Sequence, residues 1–444
     1  MKHRQKILVV SAGDFRSEYG GGQIYVRTIV DELINRGEDI VIAVRDDGCQ
    51  PFTVSEYRNV KVVNYSLAGS GDTRATILSL LDKVKPEVVH AHADKALFAD
   101  ACASLGIPSV ITAHHGGLLC PAGTLMNYRD EICRIQCAPR VCLPCVLKSL
   151  RWGILAWFPL QLIPWPVQIS AGKILRRKKF IPYFTPVGTV ALHIQEKAAE
   201  WATIRKTAGT LISPSKAMAD SMLRNGAERR RIRIVPHGII PPGKRASGGV
   251  PEGRPLRFYF VGRICYVKGL HVMIEAFRAL DRKDVELHIV GEASRKAEVR
   301  YYRRLKKLSG EDERIFWHGK VEHKELGELT AQFDIMIHPA IFLEVFGLTI
   351  AEAMSLGKPV ISTRCGGAED QIVDGVNGVL VAPNDAGSLR AGMMRLIEDE
   401  KLRKHIADNA PNSVNLLTSH VDELMKCYSA ATIIQPDENN HGNR

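Results

Sequence analysis

The sequence lacks the features that mark secreted, dinucleotide-binding and nucleic-acid-binding proteins. Near its N-terminus the apolar run is only Ile7–Val10, which is too short for the core of a signal peptide. No G-x-G-x-x-G fingerprint follows the first predicted strand, and no zinc-finger, homeodomain or RNP signature is present. We therefore expect a cytoplasmic protein that binds no nucleic acid.

Acidic residues are outnumbered, so the chain is strongly basic. It has 444 residues, with 60 Lys and Arg against 48 Asp and Glu, and a formal net charge of +12 at pH 7. With nucleic acid set aside, this charge indicates phosphorylated substrates or an anionic lipid surface. The length predicts two to three domains. A hydrophobic content of 45% and a charged content of 24% are ordinary for a globular protein.

Cysteine is scarce except in one short segment. Ten cysteines in a chain of this length do not make a disulfide scaffold. Five lie within 26 residues, spaced C-x12-C-x3-C-x4-C-x2-C, at Cys120, Cys133, Cys137, Cys142 and Cys145. Thiolates at such spacing can bind Zn²⁺ or an iron–sulfur cluster, although only the last C-x2-C has the usual short spacing. Free thiols or redox pairs are the alternative. A bound metal would fold the loop rather than take part in chemistry.

No charged residue occurs in the apolar stretch 152–169, which contains three tryptophans and three prolines. The prolines argue against one transmembrane helix across it. Basic residues flank the stretch at Lys148, Arg151 and Lys173. Two interpretations stay open: an element that lies at the surface of an anionic membrane, or a helical hairpin buried against the N-terminal domain.

The remaining sequence alternates between buried strands and amphipathic helices, which is typical of an α/β protein with parallel sheets. The first strand is predicted over 6–11. Gly21 and Gly22 follow it, and a helix is predicted over 24–36. Glycines before a helix allow backbone N–H groups to approach a phosphate.

Polar side chains follow two later strands, at the sheet edge where open α/β sheets bind ligands. His114 and His115 end a strand of the first half, and Arg263 and Lys268 follow a strand that begins at Leu256. Because Lys268 stands just before a predicted helix, its charge and the helix N-terminus would both stabilise a bound anion.

Two carboxylates begin the longest motif of the second half. Glu344 and Glu352 are eight residues apart. This is slightly more than two helical turns at about 3.6 residues per turn, so both could face one cleft. The helix that contains Glu352 is predicted to end at Gly357. A strand follows, with Gly366 and Gly367 at its carboxyl end.

These motifs resemble those of glycosyltransferase family 4, the retaining enzymes with the GT-B fold, over residues 5–425. The family's E-x7-E motif is matched by Glu344 and Glu352, its G-R-x4-K-G pattern by residues 262–269, and its G-x-P-V-I-x-T-x-x-G-G run by residues 357–367. The cysteine segment is similar to that of a subset with a cysteine cluster in the N-terminal domain.

The resemblance implies an α/β fold of two Rossmann-like, doubly wound parallel-sheet domains that face a cleft, with a C-terminal helix crossing back. The expected parts, in order, are an acceptor-side domain (1–240) with an insert (about 118–185), a linker (241–253), a nucleotide-sugar-binding domain (254–412), the crossover helix (413–432) and a disordered tail (433–444).

The resemblance also implies an activity: transfer of a sugar from a nucleotide-sugar to a saccharide or lipid-linked acceptor, in the synthesis of cell-envelope polysaccharide or glycolipid. Glu344 and His114 would lie at the reacting sugar, where a histidine can donate a hydrogen bond to a hydroxyl. The donor would be bound by Arg263, Lys268, Glu352, Gly347, Leu348, Gly21, Gly22, Gly319, Gly366 and Gly367.

Within that set, the resemblance assigns Arg263 and Lys268 to the diphosphate, Glu352 to the ribose hydroxyls and Gly319 to the base. No side chain is an evident nucleophile, so we expect attack on the same face of the sugar, assisted by the leaving phosphate. Enzymes of this fold generally lack the Asp-x-Asp metal motif, so no cofactor is expected for transfer.

Three other functions fit the same sequence. An epimerase or hydrolase on this fold would turn over the donor without an acceptor. A nucleotide-sugar-binding protein would have lost transfer, although the retained Arg263, Lys268, Glu344 and Glu352 argue against it. A lipid-surface tether would bind liposomes with no effect of nucleotide. In each case we expect a cytoplasmic protein, or one peripheral to the inner face of the plasma membrane.

Overall fold

The computed structural model describes residues 4–11, 13–16, 21–48, 52–68, 71–150, 153–178, 185–241 and 253–431. Two sheets, each covered by helices, form two α/β domains. The predicted tail, 433–444, and most of the predicted linker lie outside the described residues.

An eight-stranded sheet forms the N-terminal domain. Its strands are β1 (Ile7–Ser11), β2 (Ile40–Arg45), β3 (Phe52–Tyr57), β4 (Val60–Tyr65), β5 (Val88–Ala91), β6 (Ser109–Thr112), β7 (Thr210–Ser213) and β8 (Ile232–Ile234). They lie in the order β3-β4-β2-β1-β5-β6-β7-β8, and every pair is parallel except β3 with β4. Strands β1, β5, β6 and β7 are wholly buried, as expected where helices cover both faces of a sheet.

Nine helices belong to the described part of this domain. They are α1 (Gly21–Asn35), α2 (Thr73–Val84), α3 (Lys95–Leu105), α4 (Pro139–Ser149), α5 (Trp157–Leu162), α6 (Trp165–Lys178), α7 (Thr185–Gly188), α8 (Val190–Thr207) and α9 (Lys216–Arg224). The predicted start of α1 at residue 24 is wrong. Gly21 and Gly22 form its first turn instead of a preceding loop.

A six-stranded parallel sheet forms the C-terminal domain. Its strands are β9 (Leu256–Val261), β10 (Val285–Val290), β11 (Ile315–Gly319), β12 (Ile335–His338), β13 (Val360–Thr363) and β14 (Val379–Val381), in the order β11-β10-β9-β12-β13-β14. The helices that follow are α10 (Leu270–Arg278), α11 (Lys296–Ser309), α12 (His323–Ala331), α13 (Leu348–Ser355), α14 (Gly367–Gln371), α15 (Ala386–Glu398), α16 (Glu400–Asn409) and α17 (Leu417–Ser429).

Helix α17 returns from the C-terminal domain and packs against α1 of the N-terminal domain. The Nε2 of His420 on α17 lies 2.8 Å from the hydroxyl of Tyr25 on α1. Arg36 donates a 2.6 Å hydrogen bond to Asp422. Helix α17 therefore ties the two domains together.

The apolar stretch of the insert folds as a helical hairpin of α5 and α6. Helix α6 packs against α8, whereas α5 contains no buried residue. Trp157 and Leu160 of α5 are nevertheless half-buried against α4. The predicted hairpin therefore lies against the domain, with Phe158 and Leu162 of α5 exposed. No helix in the described ranges is both long and apolar enough to span a bilayer.

Candidate active site

A partly buried ion pair joins two of the predicted site residues. Lys268 lies in the turn between β9 and α10, and Glu344 lies in the loop between β12 and α13. The Nζ of Lys268 is 2.5 Å from the Oε2 of Glu344. The Nε2 of His338, at the end of β12, is 3.3 Å from the same oxygen. The side chains of Lys268 and Glu344 are only 22% and 15% exposed.

The charges of this pair reinforce each other. Burial alone would raise the pKa of Glu344, but the nearby charge of Lys268 and the contact with His338 outweigh it and hold the pKa well below its usual value. Burial opposes the charge of Lys268, yet Glu344 raises its pKa above the usual value. At neutral pH the site therefore holds a carboxylate and an ammonium, and Glu344 is not a proton donor.

The loop of Glu344 rests directly on the glycine pair that follows β13. The backbone N–H of Glu344 donates to the carbonyl of Cys365 and the N–H of Gly367 donates to the carbonyl of Glu344, both at 2.8 Å. A Cβ at Gly367 would lie 2.6 Å from the Cα of Phe346, and Gly366 has φ +94°. These two glycines are thus required for the backbone approach that positions Glu344.

Gly347 and Leu348 begin α13 and face the other domain. Gly347 has φ +88° and is the N-cap residue of the helix. A Cβ at Gly21, in the first turn of α1, would lie 3.6 Å from the Cδ1 of Leu348. At Gly22 the same addition meets no atom within 4 Å. Gly21 of the N-terminal domain therefore lies against Leu348 of the C-terminal domain.

Arg263 lies after β9 and is held by an acidic residue of α11. Its Nε is 3.6 Å from Glu298, and its side chain is 52% exposed. Glu298 itself accepts hydrogen bonds from the backbone of Ser294 and Arg295. The guanidinium thus contacts Glu298 on one edge, and about half of the side chain is exposed to solvent. Gly319, at the end of β11, is exposed, and its carbonyl accepts a 2.8 Å hydrogen bond from the N–H of Gly291.

Glu352 lies in α13 and lines a small cavity of about 40 Å³ between α12, α13 and β9. Burial raises the pKa of Tyr259 in that cavity, and the charge of Glu352 adds to the effect. Glu344 does not line this cavity. The two carboxylates of the motif therefore occupy separate positions in the C-terminal domain.

His114 belongs to a cluster of aromatic rings at the domain junction. Its Nε2 lies 2.7 Å from the Nδ1 of His92, and its ring centroid is 5.0 Å from that of Tyr25. His237 lies 5.8 Å from His114 and 5.2 Å from Phe346 of the C-terminal domain, between ring centroids. Burial holds the pKa of His114 well below its usual value, so the ring is neutral at pH 7 and can donate a hydrogen bond.

His115 has a local role instead. Its Nδ1 accepts a 3.0 Å hydrogen bond from the N–H of Gly117 and so caps the turn that follows β6. Sequence reasoning missed His92, His237, His338 and Lys95. The pattern H-x-H before α3 was the available signal for His92. Lys95 begins α3, and burial lowers its pKa to about 8.

The five clustered cysteines are all in the described part of the chain, where no group of three or more ligating side chains could hold a metal ion. A hydrogen bond between two thiols lowers the pKa of Cys142 and raises that of Cys137. They line a cavity of about 150 Å³ with Trp201 and Arg205. Metal binding stays a prediction from spacing alone.

Two family models match the chain in succession. "Glycosyltransferase Family 4" matches residues 19–140 and "Glycosyl transferases group 1" matches residues 244–413, which together make up about two thirds of the sequence. The chain belongs to glycosyltransferase family 4. The resemblance inferred from the motifs is thereby confirmed.

Curated relatives of this family 4 protein match over part of their length. D-inositol 3-phosphate glycosyltransferase of Xylanimonas cellulosilytica is 31% identical over 45% of the chain and 51% of the relative. Glycogen synthase of Mycobacterium tuberculosis is 28% identical over 47% of the chain and 50% of the relative. The matched part thus spans about half the length of these relatives.

Solved structures match this family 4 protein nearly end to end. Anabaena Alr3699/HepE in complex with UDP and glucose has a TM-score of 0.63, with 17% identity, over 96% of this chain and all of that one. Sucrose-phosphate synthase of Thermosynechococcus elongatus has a TM-score of 0.66, with 16% identity, over 96% and 98%. At such identity the likeness establishes the fold alone, and it confirms the predicted GT-B class.

Proposed function

We propose that the protein transfers a sugar from a nucleoside diphosphate sugar to a saccharide or lipid-linked acceptor with retention of configuration, in cell-envelope polysaccharide or glycolipid synthesis. The observation that carries the proposal is the partly buried pair of Lys268 and Glu344 at the end of β9 and β12. A ligand diphosphate beside Lys268 would meet a fixed cation that already lies in a low-dielectric site.

The role proposed for each side chain follows from whether that side chain is charged or neutral. The bond between the anomeric carbon and the phosphate oxygen breaks, and Lys268 and Arg263 stabilise the charge that develops on the departing diphosphate. The acceptor oxygen bonds to the anomeric carbon on the same face, and its proton passes to the departing phosphate oxygen. Glu344, held as a carboxylate, orients sugar hydroxyls and accepts their hydrogen bonds. From the N-terminal domain, the neutral ring of His114 donates a hydrogen bond to a sugar hydroxyl.

The test is thermal protection by UDP-, GDP-, ADP- and CDP-sugars. A donor at about a hundred times its dissociation constant stabilises the folded protein by about 2.7 kcal/mol. We expect one base class to protect the natural protein and the control variant Lys426→Ala, whose lysine is exposed on α17. It should not protect Lys268→Met. Turnover of the protecting donor without any acceptor would point instead to a hydrolase or epimerase.

Protection without turnover, across a panel of saccharide and lipid-linked acceptors, would point to a binding protein. Protection of Lys268→Met equal to that of the natural protein would refute the proposed donor site.

A further inference from the structure

The hairpin of α5 and α6 presents a row of apolar side chains to solvent. Seven of the 17 large apolar side chains that are exposed in the described part of the chain fall between residues 154 and 174. Leu155, Phe158 and Leu162 are 72%, 73% and 72% exposed. Their spacing of three and four residues places them on one face of a helical segment. A contiguous patch of this kind marks an interaction surface.

The hairpin is firmly held, so this exposure is part of the folded structure. The side-chain amide of Gln168 donates to the carbonyls of Leu160 and Ile163 at 2.7 and 2.9 Å, which closes the corner between α5 and α6. The guanidinium of Arg176 makes two hydrogen bonds to Glu196 on α8, at 2.6 and 2.9 Å. Helix α6 is thus fixed against α8, while its Val167 and Ile174 remain exposed.

The charge of the surrounding segment indicates which kind of partner fits this surface. Between Glu131 and Glu196 the sequence contains nine Lys and Arg and no Asp or Glu. Arg176 is neutralised by Glu196, but Lys173 is exposed on α6 beside Ile174, which is 57% exposed. Apolar side chains in a uniformly basic segment complement a surface that is anionic outside and apolar within. An anionic bilayer has that order of layers.

We propose that the face formed by Leu155, Phe158, Leu162, Val167 and Ile174 inserts into the headgroup region of an anionic lipid bilayer. We call it the apolar face of the hairpin. The hairpin lies along the membrane and does not cross it, since α5 has only six residues and Pro164 separates it from α6. This inference goes beyond sugar transfer and does not depend on the donor site.

Two contacts connect α5 to the segment that leads to Lys268. The ring of Trp157 in α5 lies 5.3 Å from that of Tyr128, between centroids. Two residues further along the same loop, Asp130 accepts a hydrogen bond from Tyr266, which precedes Lys268. A bilayer at the apolar face would therefore lie one loop away from the proposed donor site, where a lipid-linked acceptor can be presented.

The experiment is sedimentation of the full-length protein with vesicles of phosphatidylcholine alone and of an equal mixture with phosphatidylglycerol. We expect strong binding to the mixture, weakened by salt. The variant Leu155→Ser/Phe158→Ser/Leu162→Ser should lower the partition coefficient about tenfold or more. Lys173→Gln should lower it about fivefold, since a basic residue near the surface contributes about 1 kcal/mol.

The matched control replaces three exposed valines elsewhere, Val54→Ser/Val373→Ser/Val376→Ser, and should bind like the natural protein. Equal unfolding temperatures show that the variants remain folded. Failure to sediment with the anionic mixture, or binding unchanged by the triple variant, would overturn the proposal and favour a protein partner on this face. Equal binding to both vesicle types would overturn its anionic part. Lys268→Met should bind vesicles normally, so failure of the donor site is separately visible.

Discussion

The carboxylate of Asp130 accepts a 3.0 Å hydrogen bond from the hydroxyl of Tyr266, and this contact joins the cysteine-containing loop of the N-terminal domain to the segment that leads to Lys268. The Nζ of Lys148 lies 2.7 Å from the other side of the same carboxylate. Burial and, to a smaller extent, the charge of Asp130 raise the pKa of Tyr266 to about 12. Its hydroxyl therefore remains a donor at neutral pH. One domain thus positions a basic residue of the other.

Replacing Tyr266 by Phe should reduce transfer without unfolding the protein. A hydrogen bond to a charged group contributes about 1.5–3 kcal/mol, so loss of positioning should lower kcat/KM for the donor about tenfold. Tyr302→Phe is the matched control, because the Tyr302 ring packs edge-on against Trp317 in the same domain. Equal kinetics for the two variants would mean that the contact with Asp130 positions nothing.

The ion pair between Lys268 and Glu344 should show strong energetic coupling. Lys268→Met leaves the partly buried carboxylate of Glu344 with His338 as its remaining contact, which should cost about 1–3 kcal/mol of unfolding free energy. Adding Glu344→Leu removes that charge, so the double variant should be more stable than Lys268→Met alone. Urea unfolding of the four proteins in the cycle measures this coupling.

The control cycle uses Lys426 and Glu423, an exposed pair at 2.6 Å, for which we expect negligible coupling. A double variant less stable than Lys268→Met would show that the partly buried pair is not the source of the cost.

The histidines at the domain junction should make the protein acid-sensitive. Burial lowers the pKa of His90 to about 3 and that of His420 to about 4, against about 6.5 in the unfolded chain. Between about pH 4 and pH 6.5 the unfolded chain binds protons that the folded protein does not, so stability is complete above this window and falls as the pH falls through it. One such histidine contributes up to about 3 kcal/mol.

The variant His420→Gln checks this expectation. Its unfolding free energy should change less between about pH 7 and pH 5 than that of the natural protein, because one proton-linked group is gone. His405→Gln, at an exposed position of α16, should keep the natural pH dependence. Identical pH profiles for all three proteins would rule out His420 as a source of the acid sensitivity.

The regular part of this fold follows from local sequence. The apolar run at β1 and the helix over 73–84 were predictable, and Asp72 caps that helix by accepting from two backbone N–H groups. Strand β3 was not, because none of its side chains is buried and it is an edge strand that pairs only with β4. Its tight turn depends on Arg58 and Asn59, both at positive φ. Asparagine favours that conformation but arginine does not, so the hairpin signal is weak.

The members of the site were easier to predict than their contacts. Motif residues such as Lys268 and Glu344 were visible, but they are 76 positions apart, and nothing local indicated that they would pair. Asp130 and Tyr266 are 136 positions apart and belong to no motif. The first contact arises because β9 and β12 are neighbours in one sheet, and the second arises from how the two domains meet. Sequence periodicity specifies neither.

Two glycine-to-alanine substitutions test opposite situations: at Gly367 the added Cβ meets backbone atoms, and at Gly22 it meets no atom within 4 Å. Gly367→Ala would place a Cβ 2.6 Å from the Cα of Phe346 and 2.7 Å from the carbonyl oxygen of Val345. Both contacts are with backbone, which cannot rotate away, so the loop of Glu344 must move. We expect a loss of about 1–3 kcal/mol in unfolding free energy and a large loss of activity. Gly22→Ala meets nothing within 4 Å in the first turn of α1.

That second variant should be stabilised by about 0.4–1 kcal/mol, because alanine loses less conformational entropy in a helix. Thermal unfolding with donor protection measures both effects. If a bound donor approaches the backbone at Gly22 as the family resemblance implies, Gly22→Ala should be more stable without ligand yet less protected by donor. Undiminished protection would show that the donor stays clear of this turn, and Gly22 would then serve only the start of the helix.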